Sequence, residues 1–233
     1  MQIIARIRNA FPTKFGLPRQ SGLVPELTST IVFEPAFRVA EALRGIESYS
    51  HLWLIWEFHQ AIREGDKQTW RPTVRPPRLG GNARMGVFAT RSPFRPNPLG
   101  LTVVKLLSVE DTAEGKVLVV SGADLMDGTP IYDIKPYLPY VDSVPEALGG
   151  FTEETAGHRL AVDCSEEMLA QVPTAHRETL LGVLAQDPRP AYQQDENRIY
   201  GLPFAGLDVK FSVRNGTLTV VEITKEEDSH EHH

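Results

Sequence analysis

The chain has 233 residues, 41% of them hydrophobic, and carries a formal net charge of −6, from 24 Lys and Arg against 30 Asp and Glu. That length buries a real core, as one large domain or two smaller ones, and the single cysteine, Cys164, excludes an intramolecular disulfide framework and suits a reducing compartment. No apolar stretch reaches membrane-spanning length and the N-terminal MQIIARIRNAF lacks the apolar core of a signal peptide, so a cytoplasmic protein with no membrane partner is expected.

The first half is patterned mostly as strands. Gln2 to Arg8 alternates apolar and polar residues, which suits a half-buried strand. Phe11 to Leu23 reads as a loop set with Pro and Gly, and Thr28 to Phe33 as a strand. Pro35 to Ile46, with apolar Phe37, Ala40 and Leu43, predicts a short helix with proline in its first turn. His51 to Phe58 is a continuous, aromatic-rich apolar run, expected as a buried strand. Strands are also expected at Met85 to Thr90, Leu101 to Val109 and Lys116 to Val120. Asp124 to Tyr140 contains an Asp-Gly turn followed by a strand interrupted by proline.

Composition shifts at Val144 to Gly157, a linker by its Pro and Gly content. Beyond it come a strand at Arg159 to Val162 and helices at Ser165 to Gln171 and Thr174 to Leu184, the first with Ser165 as N-cap. Leu207 to Ile223 predicts a hairpin about Asn215-Gly216. The architecture expected is a mainly β, barrel-like first domain over residues 1–145, not of the Rossmann type, and a small α+β second domain over 146–233. The polar tail EEDSHEHH is expected to fray, and its histidines are not read as a metal site.

The charge is unevenly distributed. Lys67 to Lys105 holds eight basic residues and no acidic one, which leaves −14 for the remainder. Most of the eight are arginines, suited to bidentate contact with phosphate or carboxylate. Within RSPFRPNPLG the prolines Pro93, Pro96 and Pro98 stiffen the loop that presents Arg91 and Arg95. An anionic ligand or nucleic acid is one reading; a rigid connector with solvated arginines is the other. In DLMDGTPIYDIKPYLPY the carboxylates Asp124, Asp127 and Asp133 flank a turn and could hold ribose hydroxyls, an ammonium group or a metal, or simply cap the turn. His51 and His59 lie too far apart for the helical HExxH arrangement, and no metal site is expected. The glycines of LGGNARMG are at the wrong spacing for a dinucleotide fingerprint, and P-loop and nucleophile-elbow patterns are missing.

Taken together, PRQ at 18–20, SHLWLIWEFH at 50–59, WRPTVRPPRLGGNARMGVFATRSPFRPNPLGL at 70–101, DLMDGTPIYDIKPYLPY at 124–140 and LAQDPRPAY at 184–192 resemble the TsaA-like family, the TrmO-type tRNA methyltransferases. The likeness spans nearly the whole chain apart from about Glu146 to Leu180. It implies a β-barrel that binds S-adenosylmethionine, a homodimer, and a second domain that helps hold tRNA at the anticodon stem-loop. The reaction implied is methylation of N6 of threonylcarbamoyl-adenosine, just 3′ of the anticodon of threonine tRNA. Pro18, Arg19 and Gln20 match one cofactor-contacting loop, Phe58 and His59 a second contact, and Arg91 and Leu101 a third. Asp124, Leu125, Met126 and Asp127 match the segment that closes over the cofactor. Pro93 and Phe94 stand where relatives vary.

Methyl transfer from a sulfonium is a direct displacement in which the protein mainly positions the reactants. Arg91 or Arg19 suits the donor's carboxylate, and Asp124 or Asp127 its ribose or ammonium. The acceptor nitrogen belongs to a urea, so its proton must be lost, and Asp133 or His59 is the expected general base. Phe94, Tyr137 and Trp70 are candidates for base stacking, and Arg71, Arg75, Arg78, Arg84, Arg95, Lys135, Arg189 and Lys210 for further tRNA contacts. A non-enzymatic RNA-binding barrel, the same chemistry on another nucleoside or small molecule, and a metal hydrolase built on His51 and His59 are the competing readings.

Overall fold

In a computed structural model of the chain, the structure describes residues 1–59, 70–76, 83–155, 157–189 and 195–225. Strands β1 (Ala5–Arg8), β2 (Thr28–Phe33), β3 (His51–Glu57), β6 (Leu99–Thr112), β7 (Gly115–Ser121) and β8 (Pro130–Pro136) form a closed barrel in the order β1-β2-β7-β6-β3-β8. Pairing of Ala5 with Ile131 and Arg6 with Pro130 completes the circle. Closure leaves no free sheet edge, so the backbone groups of these strands are paired all round. Alternation decides what lies inside. In β3, Leu52, Leu54 and Trp56 are buried with Ala5, Ile7, Ile31, Val104, Leu118, Val120, Leu125 and Ile131, while His51, Trp53, Ile55 and Glu57 face outward. Two bulges, at Ile55/Trp56 against β8 and at Leu106/Ser108 against β7, bend the strands.

The helix expected at Pro35 to Ile46 is instead three separate 3₁₀ turns, Pro35–Phe37, Ala40–Leu43 and Ile46–Ser48. The apolar residues Phe37, Ala40, Leu43 and Ile46 recur every third position, the 3₁₀ period, and Phe37, Leu43 and Ile46 pack against the barrel core. Extended Val39 and left-handed Gly45 (φ 88°) separate the turns. The strand expected at Met85 to Thr90 is only β5 (Met85–Gly86), paired with β4 (Thr73–Val74) and followed by a 3₁₀ turn at Val87–Ala89. A short helix α1 (Pro139–Asp142) follows β8, and the linker region contains a 3₁₀ segment at Gly150–Thr155.

The second sheet has the order β10-β11-β12-β9, built from β9 (Ala161–Asp163), β10 (Tyr200–Phe204), β11 (Leu207–Arg214) and β12 (Thr217–Lys225). Its hairpin turns at Asn215 (φ 50°) and Gly216 (φ 76°), where two successive positive φ values favour this residue pair. Helices α2 (Glu166–Ala170) and α3 (Thr174–Ala185) match expectation, and Ser165 Oγ caps Met168 N–H at 3.2 Å. Strand β10 has no counterpart in the sequence reading; its Gly and Pro interrupt the apolar pattern.

The core under the second sheet recruits the segment between β1 and β2. Phe11, Val24 and Leu27 are buried with Leu180, Leu184, Leu202, Phe204 and Phe211. Thr179 Oγ1 donates to the Glu26 carbonyl at 2.7 Å, and an added Cβ on Gly182 would meet Val24 at 2.9 Å. Residues 10–27 therefore belong to the barrel by connectivity and to the second core by packing.

Candidate functional site

The segment 10–27 brings its polar middle to one end of the barrel. Gly22 N–H donates to the Gly122 carbonyl and Gly122 N–H to that of Leu27, at 2.8 and 2.9 Å, while Asp127 N–H donates to the Phe11 carbonyl at 2.9 Å. Gly122 takes a left-handed φ of 77° and its Cα faces Gly22 so closely that a Cβ would meet backbone at 3.2 Å. Gln20, Ser21 and the Asp124–Asp127 segment are thereby neighbours. Arg91 reaches the same place from the proline-rich loop, donating through Nη1 to Gln20 Oε1 at 2.5 Å.

Asp124 is the most deeply placed ionisable group of this cluster. Burial pushes its carboxyl above the usual carboxylate range; the Thr102 hydroxyl, backbone N–H groups of Asp124 and Ser21, and the Arg91 guanidinium oppose that shift. Thr102 Oγ1 donates to Asp124 Oδ1 at 2.7 Å, and Trp56 Nε1–H donates to Thr102 Oγ1 at 2.9 Å. Beside this chain Phe58 leans on Trp56 with ring centroids 4.3 Å apart, and Phe58 N–H donates to the Pro98 carbonyl at 2.9 Å. The arrangement offers an aromatic wall, a desolvated carboxylate, and a guanidinium opposite it.

The expected site residues divide into those gathered here and those held elsewhere. Gln20, Phe58, Arg91 and Asp124 are gathered. Pro18 and Met126 are buried, and Leu125 belongs to the barrel core, so its side chain packs rather than faces the mouth. Arg19 donates through Nη2 to the carbonyls of Asp187 and Arg189 at 3.4 and 3.1 Å, tying the loop to the second domain. Asp127 Oδ1 accepts from Asn9 N–H at 3.0 Å. His59 follows the end of β3 through a turn in which its N–H donates to the Glu57 carbonyl. Leu101, 56% exposed, and Asp133 both lie opposite Ile55, on the outer face of the barrel. There Asp133 pairs with Lys135 at 3.1 Å and accepts from Ile134 N–H. His51 bonds Ser50 Oγ through Nδ1 at 2.9 Å and sits at the other end of β3 from His59, so the two histidines share no site.

The expected RNA contacts divide in the same way. Arg71 stacks on Phe94 at 5.6 Å and Arg95 on Phe88 at 5.7 Å, with Arg95 Nη1 also donating to the carbonyls of Val87 and Thr90. Phe88, absent from the sequence reading, is 73% exposed. Arg75, Arg84 and Trp70 are exposed on the same segment, and Arg78 lies outside the described residues. Tyr137 packs against Trp53 and His51. Arg189 is locked to Asp187 by two bonds of 2.8 and 2.9 Å, and Lys210 pairs with Glu222 at 2.6 Å, so both are engaged within the second domain. Thr102 and Trp56 were also missed as site residues. Nothing in LGLTVV or HLWLIWEF distinguishes them from core positions.

Fold and site together define a mainly β barrel domain of the non-Rossmann kind, with a cation-rich loop at its mouth and an α+β companion packed on its first connection. Known proteins of this class are close. A family model described as the tRNA-methyltransferase O N-terminal domain matches residues 6–143, and one described as the TrmO C-terminal domain matches residues 157–226. The tRNA (adenine(37)-N6)-methyltransferase of Escherichia coli (strain K12) is 42% identical over 225 residues, spanning 93% of this chain and 94% of the relative. A Pseudomonas aeruginosa protein named putative S-adenosylmethionine-dependent methyltransferase RcsF is 45% identical over 216 residues, spanning 88% and 89%. The crystal structure of TrmO from P. aeruginosa superposes with a TM-score of 0.76 at 37% identity, covering 96% of this chain and 95% of that one. This chain belongs to the tRNA-methyltransferase O family.

Proposed function

We propose that this protein is an S-adenosylmethionine-dependent tRNA methyltransferase that methylates N6 of threonylcarbamoyl-adenosine, 3′ of the anticodon of threonine tRNA, in the cytoplasm. The observation that carries the reading is the convergence of Gln20, Ser21, Arg91 and Asp124 at the barrel end beside Trp56 and Phe58. These groups fit the donor: a nearly buried carboxylate for a ribose hydroxyl or ammonium, a guanidinium for the methionyl carboxylate, and aromatic surface for the adenine. Bound there, S-adenosylmethionine supplies an electrophilic methyl group on sulfur. Arg91, rather than Arg19, serves the carboxylate, because Arg19 is engaged with the second domain. His59 is the better-placed base for the N6 proton. It directly follows Phe58 of the aromatic wall, whereas Asp133 is paired with Lys135 on the outer face.

Residues 1–145 supply the donor site and the cation-rich RNA surface. The second domain assists tRNA binding, its Thr179, Leu180, Leu184, Leu202, Phe204 and Phe211 holding segment 10–27 in place. The exposed apolar side chain of Leu101, beside Ile55 on the outer face of the barrel, supports a homodimer. The deciding experiment is mass spectrometry of tRNA nucleosides after incubating the purified protein with S-adenosylmethionine and threonine tRNA that carries the threonylcarbamoyl group. Appearance of the N6-methyl derivative supports the reading. Donor binding without product on that tRNA would redirect it to another nucleoside, and no donor binding at all would leave an RNA-binding barrel.

A further inference from the structure

The three-residue chain from Trp56 through Thr102 to Asp124 has a direction. An indole N–H is a donor and nothing else, so Thr102 Oγ1 must accept from Trp56 at 2.9 Å. The hydroxyl has one hydrogen, and its remaining partner is Asp124 Oδ1 at 2.7 Å. Thr102 is 2% exposed and Trp56 6%, so water does not compete for either bond. The three residues are far apart in sequence and come from three places in the barrel: β3, β6 and the segment after β7. The indole has room because its register partner is Gly100, where an added Cβ would lie 2.1 Å from the ring.

We propose that Thr102, oriented by Trp56, is a positioning residue for the methyl donor: its hydroxyl fixes one oxygen of Asp124, so that the carboxylate meets the donor's ribose or ammonium in a single preset orientation. This rests on the reading that Asp124 contacts the donor. A valine at position 102 fills nearly the same volume but cannot donate, so the carboxylate loses a charge-assisted bond and gains rotational freedom. The same loss favours the protonated acid. The charge acting on Asp124 is that of Arg91, and the other favourable contacts are backbone N–H groups. Removing the Thr102 bond leaves burial less opposed, so Asp124 takes up its proton at higher pH.

The test is calorimetric titration of the full-length protein with S-adenosylmethionine, without tRNA, from mildly acidic to neutral pH, with melting curves run alongside. Thr102→Val is expected to weaken donor binding about tenfold and Thr102→Ser by less than about threefold. The pH below which binding is lost moves upward in Thr102→Val. In turnover, the change falls on the donor KM rather than on kcat at saturating donor. Wild-type affinity and pH profile in Thr102→Val, or equal weakening in both variants, overturns the proposal. If Thr102→Val does not fold, Trp56→Phe decides: weakened binding with an upward-shifted acid limit supports the relay, and an unchanged profile sinks it. Asp124→Asn separates the two levels. If it binds donor normally, the assignment of Asp124 to the donor fails; if it weakens binding while Thr102→Val does not, the relay alone fails.

Discussion

The cations of the proline-rich segment and those of the second domain face opposite situations. Among the described residues Arg71, Arg75, Arg84, Arg91 and Arg95 form no ion pair with a carboxylate. Arg189 and Lys210 each do, with Asp187 and Glu222. The reason is compositional: no acidic residue occurs between Lys67 and Lys105, while the rest of the chain is strongly acidic. A cation outside a close ion pair keeps much of its field for a ligand; a paired one is largely neutralised at close range. So the same residue type is left outside carboxylate pairs in one region and is a structural tie in the other.

Four variants would break or sharpen that contrast, beginning with the largest effect. Arg91→Ala removes the cation opposite Asp124 and is expected to lower kcat/KM for the donor by about 100-fold, measured in steady-state methylation at fixed tRNA. Combining Arg71→Ala, Arg75→Ala and Arg84→Ala should weaken tRNA binding roughly tenfold or more and reduce the salt dependence by about two, given a slope of ~0.7 per contact on single strands. An unchanged slope in filter-binding titrations would mean these arginines do not meet phosphate.

Arg189→Ala should leave tRNA affinity nearly intact but lower stability by about 1–2 kcal/mol, since both partners are mostly shielded, 14% and 16% exposed. Burial alone would raise the Asp187 carboxyl, but the bonds and charge of Arg189 hold it below the usual range. A depressed carboxyl stabilises the fold above the ordinary carboxylate pKa, and that contribution is lost as pH falls through the folded value. The wild type should therefore lose stability on acidification more steeply than Arg189→Ala, as chemical unfolding at several pH values would reveal. The smallest effect belongs to Lys210→Ala, which should change tRNA affinity by less than about twofold. A larger loss would place the second domain's open sheet face on the RNA.

Much of the fold was legible because periodicity reports local geometry directly. The alternation in β3 and in the β11–β12 hairpin, the Asn-Gly turn and the Ser165 cap each depend on residues close in sequence. Pro35 to Ile46 was misread because a period of three lies near 3.6, and only the backbone of Val39 and Gly45 separates the turns. Of the expected site residues, Gln20, Phe58, Arg91 and Asp124 come together at the barrel end, and the sequence offered them through a resemblance carried by short motifs. The site was not legible at Thr102, where a hydroxyl within an apolar strand looks like any other core position.

Sequence by itself determined most of the strands, the segregation of charge and the family, since each is a property of neighbouring residues or of composition. Tertiary structure alone decided which face Leu101 and Asp133 occupy, and that Trp56, Thr102 and Asp124 form one chain across separations of 46 and 22 residues. Barrel closure and strand register set those distances. Both are fixed by long-range pairing, which no local pattern encodes.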